Sequence, residues 1–209
     1  MKVFELINRS MKPAIRHMKL NTDEFQNEDF VRNPKERCYH CKRELLGEVD
    51  EIREELGFQK IIEGTNLDDH QDYRPGLKAI EEFGETVVSP LYEVEMTKKE
   101  TRKLAKKLNI PTAKKPSSPC LASRVPYGNR ITEEKVSRIE KAEKYLRSLG
   151  FETVRVRDHK TLARLELAQE KIPEAAARRE EIAKKLKEFG YKFVSLNLEG
   201  YRTGSLNPE

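Results

Sequence analysis

Between Ile110 and Ile131 the chain drops all regular periodicity, holds four prolines, and carries Cys120 and Arg124. Proline removes a backbone donor and restricts the residue before it, so neither a helix nor an inner strand runs comfortably through such a stretch. Patterned sequence lies on both sides of it. A connector this long is uncommon inside a compact unit unless it divides two units or serves a site. The expectation is a division into residues 1–115, a cysteine-bearing loop over 116–131, and a smaller unit over 132–209.

Ahead of the loop, short apolar runs alternate with amphipathic ones. Asn33 as N-cap, Pro34 at the first helical position and Glu36 three residues after the cap predict a helix that stops at Gly57. Its stripe of Cys38, Cys41, Leu45, Val49, Ile52 and Leu56 recurs at spacings of three and four. That spacing puts both thiols on the buried face, near a positive helix end that favours thiolate over thiol. Residues 58–63 read as a strand, 64–76 as a polar loop and 77–83 as a helix. Residues 86–89 read as a second strand, and Thr97 with Glu100 forms a capping box for a helix to about Leu108. This alternation predicts an α/β class with a parallel sheet, and a polar loop directly after a strand is where such sheets hold ligands. Past the proline-rich stretch, the expected order is a helix over 133–149 closed by Gly150, strands near 154–157 and 162–167, a helix over 173–189 and a strand over 191–198. That order describes a small α+β unit. The first thirty residues carry weak periodicity and yield at most one helix or strand.

Of the 209 residues, 37% are charged and 36% hydrophobic, with the hydrophobic ones periodic, so the chain folds rather than staying disordered. No apolar run approaches the ~20 residues of a membrane span. The net charge of +5 suits a nucleotide, an acidic substrate or RNA without choosing among them. The mixed Lys/Glu runs, including residues 178–187, read as solvated faces.

An odd count of three cysteines, with no secretory leader in these residues, argues for a cytoplasmic setting and for metal or sulfur chemistry over a disulfide framework. Cys38-Tyr-His-Cys41 places two sulfurs within reach of one metal, and Cys120 supplies a third, leaving one coordination position free. A zinc site completed by His40 or His70 uses the same thiols structurally. Three inert buried cysteines fit poorly with a cysteine in a polar, proline-rich loop.

Read together, several segments resemble the LarE family. They are Arg37-Cys-Tyr-His-Cys-Lys42, Gly64-Thr-Asn-Leu-Asp-Asp69, Asp72-Tyr-Arg-Pro-Gly76, Ser89-Pro-Leu91, Thr97-Lys98 with Arg102, Lys115-Pro-Ser-Ser-Pro-Cys-Leu-Ala-Ser-Arg-Val-Pro-Tyr-Gly128, Val154-Arg-Val-Arg157, Ala163-Arg-Leu-Glu166 and Gly200-Tyr-Arg-Thr-Gly204. Members are sulfur transferases of the ATP-pyrophosphatase fold that act on a pyridinium mononucleotide on the way to a nickel-pincer cofactor. The resemblance implies a partial nucleotide-hydrolase (PP-loop) parallel sheet followed by the small α+β unit, ATP with magnesium as co-substrate, a homo-oligomer, and no membrane. It also implies a four-iron, four-sulfur cluster on Cys38, Cys41 and Cys120, which are the catalytic and metal-binding residues. Nucleotide contacts fall to Gly64, Asn66, Asp68, Arg74, Ser123 and Arg124, and substrate contacts to Arg155, Arg157 and Glu174.

Arg155 and Arg157 share a strand face by period-two geometry and suit a phosphate; a charged strand face paired with Glu152, Arg164 or Glu166 is the plainer reading. Glu174 in a first helical turn is also what a helix dipole favours, and Gly64, Asn66 and Asp68 are residues any turn uses. The family's Ser-Gly-Gly-x-Asp-Ser phosphate loop does not occur in these residues, so weak ATP binding by them alone is expected. Two rival functions are a tRNA-thiolating enzyme of the same superfamily and a zinc-stabilised binding module without catalysis.

Overall fold

In the computed structural model, residues 3–5, 17–20, 22–114 and 119–202 are described. Residues 115–118 and 203–204 of the family-like segments, with the expected 115/116 boundary, lie outside them. Strands β1 (Val3–Glu5) and β2 (His17–Lys19) form an antiparallel ribbon, more than the weak periodicity there indicates. A short helix α1 (Glu28–Val31) follows, capped by Asn27, whose side chain accepts the N–H groups of Asp29 and Phe30.

Helix α2 (Arg37–Glu55) begins three residues later than the Asn-Pro signal implies. Asn33 is not its cap: at φ 58° it is left-handed and fully buried, and its amide is engaged with distant carbonyls. The other end matches expectation, with Gly57 left-handed at φ 70° just past the last turn. The predicted stripe is rotated, however. Leu46 and Ile52 are buried, whereas Leu45, Leu56 and Cys38 are exposed and Cys41 is half-buried. Packing decides this, because Leu46 meets Ile61, Ala79 and Val87, with Tyr39 and Val49 alongside.

Strand β3 (Ile61–Ile62) pairs in parallel with β4 (Val87–Val88), and α3 (Gly76–Glu82) lies between them in sequence. Both strands are shorter than their apolar runs. Gly76 lets α3 start close against α2: a Cβ there would stand 3.3 Å from both the Cys38 carbonyl oxygen and the Lys42 side chain, a tight fit that either neighbour would have to relieve. Helix α4 (Pro90–Glu93) leads to α5 (Lys98–Lys107), whose Thr97/Glu100 capping box forms as its spacing requires.

The proline-rich stretch holds two 3-10 turns, Pro111–Lys114 and Leu121–Arg124, and otherwise no regular element among the described residues. It is nevertheless part of a core, because Ala122, Val125 and Ile131 pack with Phe30, Val31 and Ile139. Helix α6 (Glu133–Ser148) starts at Thr132, whose hydroxyl accepts from the Lys135 N–H, and closes at a left-handed Gly150.

Strands β5 (Val154–His159) and β6 (Leu162–Leu167) form an antiparallel hairpin, and β7 (Phe193–Leu196) adds to β6 in parallel. Between β6 and β7 the single expected helix is two, α7 (Ile172–Ala177) and α8 (Arg179–Glu188). The break falls at Arg178, whose guanidinium reaches the Leu149 carbonyl at 3.1 Å, so a tertiary anchor overrides a uniformly helical pattern. Leu146, Phe151, Val154, Val156, Leu167 and Leu186 close a core against this mixed sheet. No helix among the described residues is long and apolar enough to cross a membrane.

Candidate functional site

All three thiols are free. Cys38 and Cys41 occupy the first turns of α2, and Cys120 stands at the head of the Leu121–Arg124 turn. Burial, followed by the charges of Glu24, Cys120, Cys38 and Glu44, pushes the Cys41 thiol up to about 12. The helix end does not turn Cys41 into a thiolate, because desolvation of a half-buried sulfur outweighs the partial charge at a helix terminus. Cys41 packs against the cluster of Ala122 and Val125, with Leu121 alongside, so residues 79 positions apart in sequence, Cys41 and Cys120, belong to one neighbourhood. Among the described residues no three His, Cys, Asp or Glu side chains converge as closely as a single metal ion requires. His40 meets the edge of Tyr39, and His70 stacks on Tyr92 with ring centres 3.7 Å apart.

A cleft of about 340 Å³ opens beside Cys38, with Lys42, Glu63, Gly64, Tyr73 and Arg74 among its walls. Glu63, at the end of β3, organises one side. Burial alone would raise its pKa, but hydrogen bonds from Ser89, Lys42 and Thr65 outweigh that and hold the carboxyl at about 2. Lys42 reaches it at 2.9 Å and the Thr65 hydroxyl at 2.8 Å. Neither Glu63 nor Lys42 stands out in sequence, since a charged residue flanking a strand or on a helix is commonplace. Across the cleft, Arg74 pairs with Asp69 at 2.9 Å and with Asp72 at 3.3 Å while staying half exposed. Asn66 caps its own turn together with Asp69, and Asp68 accepts the Lys98 N–H at 2.7 Å, at the start of α5. Asn66 and Asp68 shape the loop, and its share of the cleft wall falls to Gly64, Thr65, Asp69 and Arg74.

The Cys120 loop is fixed from the other side by Arg124, which is 2% exposed. Its guanidinium forms a double hydrogen bond with Glu143 of α6, at 2.7 and 3.1 Å, and donates to the carbonyls of Pro119 and Cys120 and to the Ser123 hydroxyl. Burial opposes the Glu143 charge, yet Arg124, the Val156 N–H and Arg147 keep its carboxyl below the usual range. Removing one partner of so buried a pair strands a charge and costs about 3–5 kcal/mol. Arg124 therefore grips the loop rather than a ligand. Glu143, its counter-ion, has no sequence signal of its own inside a Lys/Glu-rich helix.

Register keeps Arg155 and Arg157 on one face of β5, opposite Glu166 and Arg164 of β6. Their surroundings differ. Arg157 is buried, donates twice to Glu166 at 2.7 and 2.9 Å and once to the Ser123 carbonyl at 2.9 Å. Arg155 is half-buried, donates to the Val154 carbonyl and lies 5.0 Å over the Tyr201 ring. Burial, then the neighbouring Arg124 charge, pushes Arg155 below the ordinary arginine range. A guanidinium in such a positive, partly dry setting calls for an anion. Tyr201 is held there by its N–H on the Leu167 carbonyl at 2.7 Å, next to Gly200, where a Cβ would stand 2.8 Å from that same oxygen. Glu174 lies on the surface of α7, paired with Lys171 at 2.7 Å.

No family model matches the chain. Three relatives do. It is 43% identical over 196 residues to an uncharacterized protein of Synechocystis sp., covering 93% of this chain and 72% of that one. It is 35% identical over 187 residues to the pyridinium-3,5-bisthiocarboxylic acid mononucleotide synthase of Lactiplantibacillus plantarum, covering 89% of this chain and 67% of that enzyme. It is also 35% identical over 184 residues to an uncharacterized protein of Methanocaldococcus jannaschii, covering 88% and 71%.

Proposed function

Because the chain belongs to the LarE-type family of pyridinium-3,5-bisthiocarboxylic acid mononucleotide synthases, we propose that it is a sulfur transferase of nickel-pincer cofactor synthesis, turning carboxylates of a pyridinium mononucleotide into thiocarboxylates. The observation that carries this reading beyond kinship is that Cys38 lines an open cleft while Cys41, one helical turn on, packs with the turn that Cys120 heads. In the proposed reaction the substrate carboxylate attacks ATP, pyrophosphate leaves, and an acyl adenylate forms. A sulfur nucleophile then adds to that carbonyl and AMP departs, leaving carbon bonded to sulfur. Adenylation is needed because a free carboxylate is a poor electrophile, and sulfur serves because it is nucleophilic at neutral pH.

Cys38, Cys41 and Cys120 would hold a four-iron, four-sulfur cluster, which supplies an iron left open by the three thiolates to carry sulfide. The donor set suits it better than zinc. Tetrahedral zinc draws its sulfurs to about 2.3 Å around one point. Such a site needs a fourth ligand, and the candidates His40 and His70 are instead engaged with Tyr39 and Tyr92.

The remaining residues bind and orient. Arg155 receives the substrate phosphate, and Arg157, already held by Glu166 and the Ser123 carbonyl, braces the Cys120 loop against β5. Arg74, Gly64 and Lys42 face the nucleotide side of the cleft. An oligomer of identical chains, which the resemblance implies, is proposed here as well.

The test is anaerobic reconstitution with iron and sulfide, followed by incubation with the pyridinium carboxylate mononucleotide, ATP and magnesium. Iron at about four per chain, lost on Cys120→Ser, together with a product in which sulfur replaces oxygen, supports the proposal. Because these residues alone are expected to bind ATP weakly, the deciding arm supplies the preformed acyl adenylate: no sulfur in its product, or stoichiometric zinc without iron uptake, overturns the proposal.

A further inference from the structure

Two segments that carry the cysteines are joined by one side chain. Asn33 is fully buried and lies five residues before Cys38. Its Nδ2 donates to the carbonyls of Val125 at 3.2 Å, Pro126 at 2.8 Å and Asn129 at 3.0 Å, all in the loop that follows Cys120. An amide carries two hydrogens, so three acceptors around it share them, and the loop is drawn in around the nitrogen. Its Oδ1 accepts from Arg37, the first residue of α2, whose guanidinium lies 4.8 Å over the Tyr127 ring of the same loop. The Asn33 carbonyl accepts the Gly128 N–H at 2.9 Å, and two residues earlier Val31 accepts the Ile131 N–H at 2.8 Å.

We infer that Asn33 is a positioning residue that sets the distance between Cys120 and the Cys38–Cys41 pair. This rests on the three-cysteine site proposed above and names the device that assembles it. The chemistry admits few substitutes. An aspartate would aim negative oxygens at three carbonyls, an aliphatic residue would strand those carbonyls and Arg37 unpaired, and a longer amide has no room at a fully buried site. Asparagine also tolerates the left-handed backbone at φ 58° that most residues resist. Arg124 fixes the near side of the Cys120 loop to α6, and Asn33 fixes its far side to α2. With both, the loop has one placement. Without the Asn33 amide, the loop keeps its tie to α6 and its packing on Phe30 and Val31, but loses the three bonds that hold it in register with the start of α2.

The test measures sulfur proximity without requiring any bound group. In a Cys38→Ser background, Cys41 and Cys120 are the two remaining thiols, and their pairing under mild diamide oxidation is followed by mass spectrometry, with circular dichroism and thermal melting on every variant. Asn33→Gly keeps the backbone conformation and loses the amide; it is expected to slow pairing about tenfold. Arg37→Gln removes only the brace on the amide and is expected to slow it by a smaller factor. Ile182→Ala serves as a control, because it opens the core under β5, β6 and β7 and is expected to lower the melting temperature while leaving pairing at the parent rate.

Parent-like pairing in whichever of the Asn33 and Arg37 variants folds overturns the inference, and so does equal slowing in Ile182→Ala. Iron uptake by the three-cysteine protein is read separately. If the parent takes up none while Asn33→Gly still slows pairing, the positioning role stands and the cluster reading falls.

Discussion

The sheet of β5, β6 and β7 and the sheet of β3 and β4 are built from similar apolar residues and are finished to different degrees. Around the first, α6, α7 and α8 leave Leu146, Val154, Leu167 and Leu186 with no exposed surface. Around the second, Ile61 is buried while its neighbour Ile62 is 73% exposed, and Phe58, Val94 and Leu108 are also in solvent. Parallel strands are normally covered on both faces, so a two-residue parallel pair with one bare face adds little stability by itself. The closed sheet is the part that carries the fold. The open one carries the cleft and two of the three cysteines, where a ligand finds backbone and side chains not already committed to packing.

The sharpest way to break this contrast is at the seam. Glu143→Ala leaves Arg124 charged and buried, and a loss of about 3–5 kcal/mol is expected in urea denaturation. A loss below 1 kcal/mol would show that the buried pair does not hold the loop. Next, Leu146→Ala is expected to cost about 2–5 kcal/mol, whereas Ile62→Ala should stay within about 0.5 kcal/mol. Equal costs would erase the distinction between the two sheets.

The arginines of β5 sharpen it further. Arg155→Ala should weaken binding of the mononucleotide by about 1.5–3 kcal/mol with the melting temperature unchanged, while Arg157→Ala should lower stability by removing buried hydrogen bonds to Glu166 and to the Ser123 carbonyl. Calorimetry and thermal melting on both variants separate the roles, and a common phenotype would reject the split.

Acid offers a gentler probe of the open sheet. Because hydrogen bonds hold Glu63 at about 2 against an ordinary 4.5, its contribution is present above pH 4.5 and is lost as pH falls towards 2. In Glu63→Gln the part of the acid transition within that window should shrink. The smallest effect belongs to Glu174→Ala, which removes an exposed pair with Lys171 and should change stability by no more than about 1 kcal/mol. A large loss of substrate affinity there would move the pocket onto α7.

Local chemistry made many elements readable from sequence. The Thr97/Glu100 box, the glycines at 57 and 150 and the span of β6 act within a few residues of themselves, and the folded chain uses them as their types suggest. Long-range partners were opaque. Asn33 before Pro34 has the form of a cap, yet its acceptors lie 92 to 96 residues away, and no local pattern encodes them. The stripe of α2 failed for the same reason, since Leu45 and Leu46 are equally apolar and only the position of α3 selects Leu46. At the site, the cysteines drew notice through residue type and spacing, and Arg74 through the family-like segment around it. Glu63 and Glu143 were not, because an acidic residue gains meaning only from the base that faces it.

Among the described residues, three arginine–tyrosine contacts give the molecule a set of optical markers. Arg37 lies over Tyr127, Arg138 over Tyr191 and Arg155 over Tyr201. The chain has seven tyrosines and no tryptophan, so phenol absorption and emission are not masked by indole. One of the three reports on the Cys120 loop, one on the closed sheet and one on the guanidinium assigned to the substrate. Fluorinated tyrosine would resolve them as separate resonances. Loop placement, folding and ligand arrival could then be followed at the same time in an otherwise unaltered protein.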